Sequence, residues 1–232
     1  MREILITGHK GFIGKHLYEL IKKDYNVTGI DKKDKLPDKD FDLVIHLAGL
    51  SGVRESWKKP LSYFYNNLFL SWKVFKKYKR VIYASSSTAA EPWRNPYALS
   101  KYLVEKISPK NSLGLRFSTV YGPGARKNMF VTKLIEKRLK YINIDCKRDF
   151  IHIQDILEFF KIIMKHRKEG IIEVGTGISI PLTDFMNTSD LTKRKSKFFE
   201  MKDNQANLNI CSSIGFKTKI NLKEYIHDFN SR

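Results

Sequence analysis

The stretch Thr7-Gly8-His9-Lys10-Gly11-Phe12-Ile13-Gly14 constrains the fold more than any other part of the chain. It follows an apolar run, Ile4–Thr7, and precedes a helical segment near Phe12–Lys23, so a strand should end and a helix begin there. Glycines permit the tight turn and let backbone come close to a ligand. A helix N-terminus offers free N–H groups and partial positive charge, which suits a pyrophosphate. This geometry belongs to a doubly wound parallel sheet. Asp31 stands just past the second apolar strand, Asn26–Ile30, where a carboxylate accepts hydrogen bonds from an adenosine ribose and repels a 2′-phosphate. The pattern therefore favours NAD. Lys10 and Lys32 pull the other way, since either could neutralise such a phosphate.

The rest of the chain alternates strand and helix, as an α/β fold with helices on both faces requires. Apolar runs at Asp42–Ala48, Arg80–Ala84, Leu113–Arg116 and Gly170–Val174 read as strands. Helices are expected near Tyr63–Lys77, from Pro96 to Ile107, at Phe130–Leu139, Asp155–His166 and Leu222–Phe229. Thr188–Lys197 is weakly patterned and reads as a polar, basic loop. The expected organisation is a Rossmann core over 1–118, to which 150–175 return, with 119–149 and 176–232 forming a small, trimmed C-terminal substrate lobe.

Composition narrows the class. No apolar run approaches the roughly 20 residues of a membrane helix, and no charged-then-apolar leader opens the sequence. Cys146 and Cys211 form neither a disulfide framework nor a metal-ligand spacing. A cytoplasmic protein without structural metal or membrane contact is expected. The formal net charge of +19 raises the question of nucleic acid. The lysines are spread along the chain, few basic runs exceed two, and none carries interleaved aromatics for base stacking. They read as a solvated surface. His46, in an apolar strand, reads as a packed histidine, and His152 lacks a partner at metal-ligand spacing.

A second constellation carries chemistry. Tyr97 and Lys101 are i and i+4 on a helix that Asn95-Pro96 should start, so both side chains share one face. A nearby ammonium stabilises a phenolate, and bound NAD⁺ adds further positive charge. Tyr97 thus becomes a workable general base, and Lys101 can also hold the nicotinamide ribose. Upstream, Ala84-Ser85-Ser86-Ser87-Thr88 closes a strand, and hydroxyls at the C-terminal end of a parallel strand face the ligand crevice.

With the glycine turn, the serine strand and the Tyr-x-x-x-Lys pair in this order, the chain resembles the extended short-chain dehydrogenase/reductase family of nucleotide-sugar epimerases and dehydratases. His46-Leu47-Ala48-Gly49 looks like that family's third-strand signature. Leu115 to Pro123, Lys147 to Asp155, Glu173 to Gly177 and Ile214 to Lys217 resemble its later motifs. Gly52-Val53-Arg54-x-Ser56, Pro60, Asn67-Leu68, Thr119 and Arg126-x-x-Met129 resemble the UDP-glucuronate 4-epimerase branch. The resemblance implies Ser87, Tyr97 and Lys101 as the catalytic set. It places Gly8, Lys10, Gly11, Phe12, Ile13, Gly14, Asp31, Lys32, Leu47, Ala48, Gly49, Asn67, Ala84 and Ser85 at NAD, with Tyr97 and Lys101. Arg54, Ser86, Ser87, Thr88, Thr119, Arg126 and Arg148 would face the substrate, with Arg148 on the nucleotide diphosphate. Ser87 is followed by Thr88-Ala89 rather than Asp-Glu, which argues against a 4,6-dehydratase. No cysteine lies near Ser87, which argues against a 3,5-epimerase/reductase.

The implied activity is 4-epimerisation of a UDP-sugar, such as UDP-glucuronate, by transient oxidation at C4. The implied assembly is a homodimer paired through Tyr63–Tyr78 and Tyr97–Ile107. Two alternatives stay open: a 4-reductase with exchangeable NAD(P)H, and a catalytically silent Rossmann binder of nucleic acid or a partner. The chain also departs from the family pattern. The stretch from Asp31 to Asp42 is too short for the usual extra strand and helix. The usual Val-Tyr-Gly and its loop are missing between Ser87 and Tyr97. The link from Pro123 to Arg148 is also short.

Overall fold

The computed structural model describes residues 1–188 and 191–231. In chain order the first elements are β1 (Glu3–Thr7), α1 (Phe12–Ile21), β2 (Asn26–Ile30) and β3 (Leu43–His46). A helical run follows, made of α2 (Val53–Lys58), α3 (Pro60–Tyr63), a π-helical segment Phe64–Phe69 and α4 (Leu70–Lys77). Then come β4 (Val81–Ser86), α5 (Pro96–Ile107), β5 (Leu113–Phe117) and β6 (Thr119–Tyr121). The remainder holds α6 (Phe130–Ile135), β7 (Tyr141–Asn143), β8 (Lys147–His152), α7 (Ile153–Ile163), β9 (Gly170–Val174), β10 (Ser179–Pro181), β11 (Thr192–Arg194), α8 (Asn209–Ser213) and α9 (Leu222–Asn230). The chain divides into two compact units, Met1–Arg116 with Ile163–Ile172, and Phe117–Ile162 with Glu173–Arg232.

The first unit is built on a sheet of order β2-β1-β3-β4-β5-β9. The pairs β1/β2, β1/β3 and β3/β4 are parallel, with Thr7 level with Ile30 on one side and His46 on the other. The strands are short runs of Ile, Leu and Val, buried on both faces in β1, β3 and β4, as a sheet covered by helices demands. The chain leaves β1 toward β2 and then returns across it to β3. That reversal is the topological switch point at which ligands bind in such sheets. Because β3 follows β2 after only a short loop, β2 is the edge, half exposed, with no strand beyond it among the described residues. The expected truncation between Asp31 and Asp42 therefore takes this form.

Local sequence explains the helices. In α1, Gly14, Leu17 and Ile21 make the buried stripe. Asn95 caps α5, its Oδ1 accepting the Ala98 N–H at 2.8 Å, and Pro96 at the first position supplies the fixed φ. In Phe64–Phe69 the helix widens to π geometry, which often marks a functional segment.

In the second unit β6 and β8 pair in parallel and β10 pairs antiparallel to β8. Tyr121, Phe150, Phe185, Leu182, Leu222 and Ile226 form its core, with Phe130 stacked on Phe150 at 5.7 Å. Asp149 is fully buried there and its carboxylate accepts from Thr176 N and Oγ1 (2.8 and 2.7 Å), Gly177 N (2.9 Å) and Ala206 N (3.1 Å). It ties the turn after β9 and the segment at Ala206 to β8.

Three sequence expectations change. The helix expected over Phe130–Leu139 stops at Ile135, and Lys137 takes a left-handed φ of 52°, which an α-helix cannot continue through. The helix expected over Asp155–His166 runs from Ile153 to Ile163 instead. The polar stretch read as a loop contains β11, paired in parallel with β7, where Arg194 Nε donates to Asn143 Oδ1 at 2.9 Å. Ser189 and Asp190 of that stretch lie outside the described residues.

Asp149→Ala should therefore destabilise the protein by about 3–5 kcal/mol, because it orphans four donors at once. Chemical denaturation checks this, and a change under about 1 kcal/mol would contradict the assignment of Asp149 as the tie point.

Candidate cofactor cavity and catalytic face

A cavity of about 450 Å³ opens in the first unit at the C-terminal ends of β1, β2 and β3, the switch point itself. Its walls include Thr7, Gly8, Lys10, Gly11, Asp31, Lys32, Leu47, Ala48 and Gly49. All but Thr7 are residues that the sequence placed at the cofactor. Gly8 has φ of 76°, and a Cβ on it would stand 2.7 Å from Ala48 N, so only glycine lets the turn reach the β3 loop. Gly8 N donates to Ile30 O at 2.8 Å and fixes the turn against β2. Gly14 approaches Gly8 O so closely that a side chain there would collide with the backbone. Gly11 caps α1 without a side chain, and no acidic residue occupies the first turn. The orphan N–H groups of that turn are left for an anionic ligand.

At the far wall two carboxylates converge. Asp31 accepts from Lys10 N (3.1 Å) and Lys32 N (2.8 Å), and Asp34 accepts from Asp31 N at 2.7 Å. Asp34, Leu36 and Asn66 line the cavity and were missed by sequence reasoning. Asp34 had a readable signal, a second carboxylate three residues beyond the first. Asn66 had none, because the π register decides which of two adjacent asparagines meets the cavity.

Asn67 is fully buried and is committed to the protein. Its Oδ1 accepts Leu50 N at 2.7 Å, and its Nδ2 donates to Leu50 O (3.1 Å) and to Ser100 Oγ (2.9 Å). Ser100 Oγ in turn donates to Tyr97 O at 2.8 Å. One side chain thus clamps the cavity loop to the first turn of α5. Lys101, on the same helix, is buried and its Nζ donates to Ala84 O at 2.8 Å. A Cβ built on Gly49 would lie 3.5 Å from that Nζ, so the ammonium sits beside the cavity loop. Burial pulls the Lys101 ammonium down to about 8, and the Glu105 carboxylate opposes that fall. Glu105 is itself held by Arg116, through Nε at 2.9 Å and Nη2 at 2.7 Å.

The serine strand divides its roles. Ser85 Oγ donates to Glu105 Oε1 at 2.5 Å and is buried. Ser86 Oγ accepts from Thr88 N and Oγ1 (3.3 and 2.9 Å). Ser87 opens the 3-10 turn Ser87–Ala90, on which α5 packs. Tyr97 meets Tyr63 edge-on at 6.0 Å, and Tyr63 is anchored through its hydroxyl to the carbonyls of Ser51 and Gly52. Arg54 lies exposed on α2. In the second unit Thr119 Oγ1 accepts from Asn204 Nδ2 at 3.3 Å, Arg126 is exposed, and Arg148 Nη1 donates to Lys147 O (2.6 Å) and Lys202 O (3.2 Å).

The family model described as NAD dependent epimerase/dehydratase matches residues 4–175, most of the chain. The chain belongs to that family. Its cofactor is NAD, in keeping with the glycine cradle, the uncapped helix start and the acidic ribose wall. The "Uncharacterized UDP-glucose epimerase YtcB" of Bacillus subtilis is 29% identical over 67% of this chain and 70% of its own length. Among solved structures, MoeE5 in complex with UDP-glucose and NAD superposes with a TM-score of 0.85 at 24% identity, covering 99% of both chains. The UDP-glucuronic acid 4-epimerase of Bacillus cereus, in complex with UDP-glucuronic acid and NAD, gives 0.81 at 22% identity, covering 97% of this chain and 96% of that one. These two structures share the fold of this chain. No described helix is long and apolar enough to cross a membrane.

His46 is packed within β3, as expected, and the structure adds two hydrogen-bond partners to its ring. Ser71 Oγ donates to Asn67 O at 2.5 Å, so it accepts from His46 Nε2 at 2.9 Å. Nδ1 is then the acceptor for Thr7 Oγ1 at 2.6 Å, and Thr7 Oγ1 accepts Ala48 N at 3.4 Å. The ring is neutral, with burial first and the Lys101 charge second holding it down to about 3. In the unfolded chain it titrates near 6.5. Below that pH the unfolded state takes up a proton that the folded state refuses, so stability falls as pH drops from about 6.5 toward 3. His46→Asn should remove up to one proton, about 1.4 kcal/mol per pH unit, from the slope of stability against pH in that window. Denaturation series at stepped pH check it, and identical slopes for both proteins would contradict it.

Proposed function

We propose that this family member is an NAD-dependent nucleotide-sugar 4-epimerase acting on a UDP-sugar, with UDP-glucuronate the first candidate. The observation that carries the reading is the placement of Lys101. Its buried ammonium joins the tyrosine helix, the serine strand at Ala84 and the cavity loop at Gly49 in one unit. A general base, its activating cation and a dinucleotide cavity in that relation suit oxidation of a secondary alcohol.

In this reading the glycine turn and Asp31 would hold NAD, which would supply the hydride-acceptor and hydride-donor chemistry that reversible oxidation at sugar C4 needs. Tyr97 takes the proton of the 4-hydroxyl as the C4 hydride leaves, and gives it back as the hydride returns. Ser87 hydrogen-bonds the same oxygen and steadies it. Lys101 keeps the tyrosine in its charged form and holds the nicotinamide ribose. Asp31 and Asp34 present two carboxylates to the adenosine ribose and disfavour a 2′-phosphate. Arg148 keeps Nε and Nη2 for a diphosphate, a match to the planar guanidinium fork. Thr119, Arg126 and Arg54 complete the substrate set. A UDP-sugar panel followed by NMR tests the reading: inversion at C4 supports it, and a panel left unchanged by NAD-loaded protein sinks it. Tyr97→Phe should lose at least about 10²-fold in kcat while NAD binding is unchanged. A variant within threefold of the parent would contradict the role of Tyr97.

We also propose a homodimer through the helical run 60–77. Leu61, Tyr65, Phe69 and Trp72 repeat at helical spacing and are all exposed, Leu61 to 82%. Tyr65, Phe69 and Trp72 stack successively at 5.4 Å. A second copy would cover this apolar stripe. Tyr63, counted among the pairing residues from sequence, is buried within the chain and drops out of that face. Light scattering of the parent should give twice the 27.1 kDa chain mass, and Phe69→Lys should halve it. A parent that is monomeric at micromolar concentration would refute the dimer.

A further inference from the structure

The opposite end of the same sheet carries a second concave site. A cleft of about 690 Å³ is lined by Arg2, Lys79, Arg80, Lys165, Arg167 and Lys168, with Asp42 and Glu169 at its wall. Arg2, Arg80 and Asp42 precede β1, β4 and β3, and Lys165 to Glu169 precede β9. The cleft therefore lies at the N-terminal edge, a strand length of roughly 15–20 Å from the cavity at the C-terminal edge.

Two of its guanidiniums are held in place. Arg2 Nη1 donates to Met164 O at 3.1 Å, and Arg80 Nη2 donates to His166 O at 2.9 Å. These bonds serve the carbonyls after α7, which accounts for two cations. They do not account for Arg167, Lys165, Lys168 and Lys79, which crowd the same cleft. Asp42 is occupied by Glu3 N at 2.7 Å. Among the described residues none of the six cations forms an ion pair with a carboxylate. Burial draws Arg80 below the ordinary arginine range, and the neighbouring charges of Arg2 and Arg167 add to that fall. Six cations converge on this one concavity, and an anion of several charges relieves the repulsion.

We propose that this cleft binds the phosphate chain of an oligophosphate, as a site separate from the NAD cavity. Planar guanidiniums take phosphate oxygens in pairs, and the lysines add point charges around them. The compact, concave shape favours a short chain over the extended backbone of a nucleic acid. The shared chemistry belongs both to inorganic triphosphate and to a nucleoside triphosphate.

The test is calorimetric titration of the full chain, saturated with NAD, at about 50 mM and 200 mM salt. Inorganic triphosphate, ATP and a short DNA duplex are the probes. Triphosphate should bind at both salts, and Arg167→Gln with Lys168→Gln should weaken it about tenfold or more. Those two side chains make no hydrogen bond among the described residues, so the variant should keep its fold, which an unchanged melting temperature verifies. Lys58→Gln with Lys59→Gln removes the same charge from the end of α2, in the segment that follows the C-terminal edge of β3, and should leave binding unchanged. Equal affinity for ATP and triphosphate assigns recognition to the phosphates, and a much tighter ATP adds a base contact to the same site. Equal weakening by both variants, binding of the duplex alone, or no binding of triphosphate at either salt would overturn the proposal.

Discussion

The clamp made by Asn67 holds the first unit's chemistry together. A buried amide saturates the Leu50 backbone in both directions and reaches Ser100, so the loop after β3 and the start of α5 share one anchor. A buried amide without these partners would cost about 1–3 kcal/mol, which makes the arrangement hard to distort locally. From that anchor the remaining contacts follow. Gly49 must be glycine, because a Cβ would meet Asn67 Oδ1 at 2.8 Å. Ser71, one turn on, passes the connection through His46 to Thr7 and the glycine turn. The pyrophosphate-type cradle and the tyrosine helix are thereby two ends of one polar chain in a dry interior, where such networks rigidify what they join.

This interior explains the electrostatics. Lys101 and His46 are both buried, and the Lys101 charge favours the neutral imidazole. His46 yields completely, and Lys101 keeps its proton at neutral pH, helped by the carboxylate of Glu105. Arg116 holds that carboxylate on the α5 face, and Ser85 closes the set. The proposed reaction needs a cation on the tyrosine helix, and α5 supplies Lys101, buried and held on Ala84 O.

Much of this was legible in the sequence, because motif and period agree there. The glycine turn, the acidic residue after β2, the serine strand and the Tyr97–Lys101 spacing each stood on an element whose type the apolar pattern fixed. The short link from Asp31 to Asp42 likewise foretold a sheet that ends at β2. Other features depend on tertiary context. A π-helical register cannot be read from Phe64–Phe69, so the division of labour between Asn66 and Asn67 was hidden. The polar network of His46 was hidden for the same reason, since its partners lie on β1 and α4. Lys137 stops α6 through a backbone angle that no residue pattern announced. β11 is short and polar and pairs with β7, which leaves no hydrophobic alternation to detect.

Membership of the family assigns the chain to NAD-dependent chemistry on nucleotide sugars, while the order of bond changes belongs to the proposed epimerisation. The most direct test is to supply a UDP-sugar labelled with deuterium at C4 and to follow the label by NMR. The account predicts that the C4-inverted product keeps its deuterium at C4, because the hydride leaves and returns within one bound complex. Loss of the label from C4 during turnover, or its accumulation in released NADH, would contradict it.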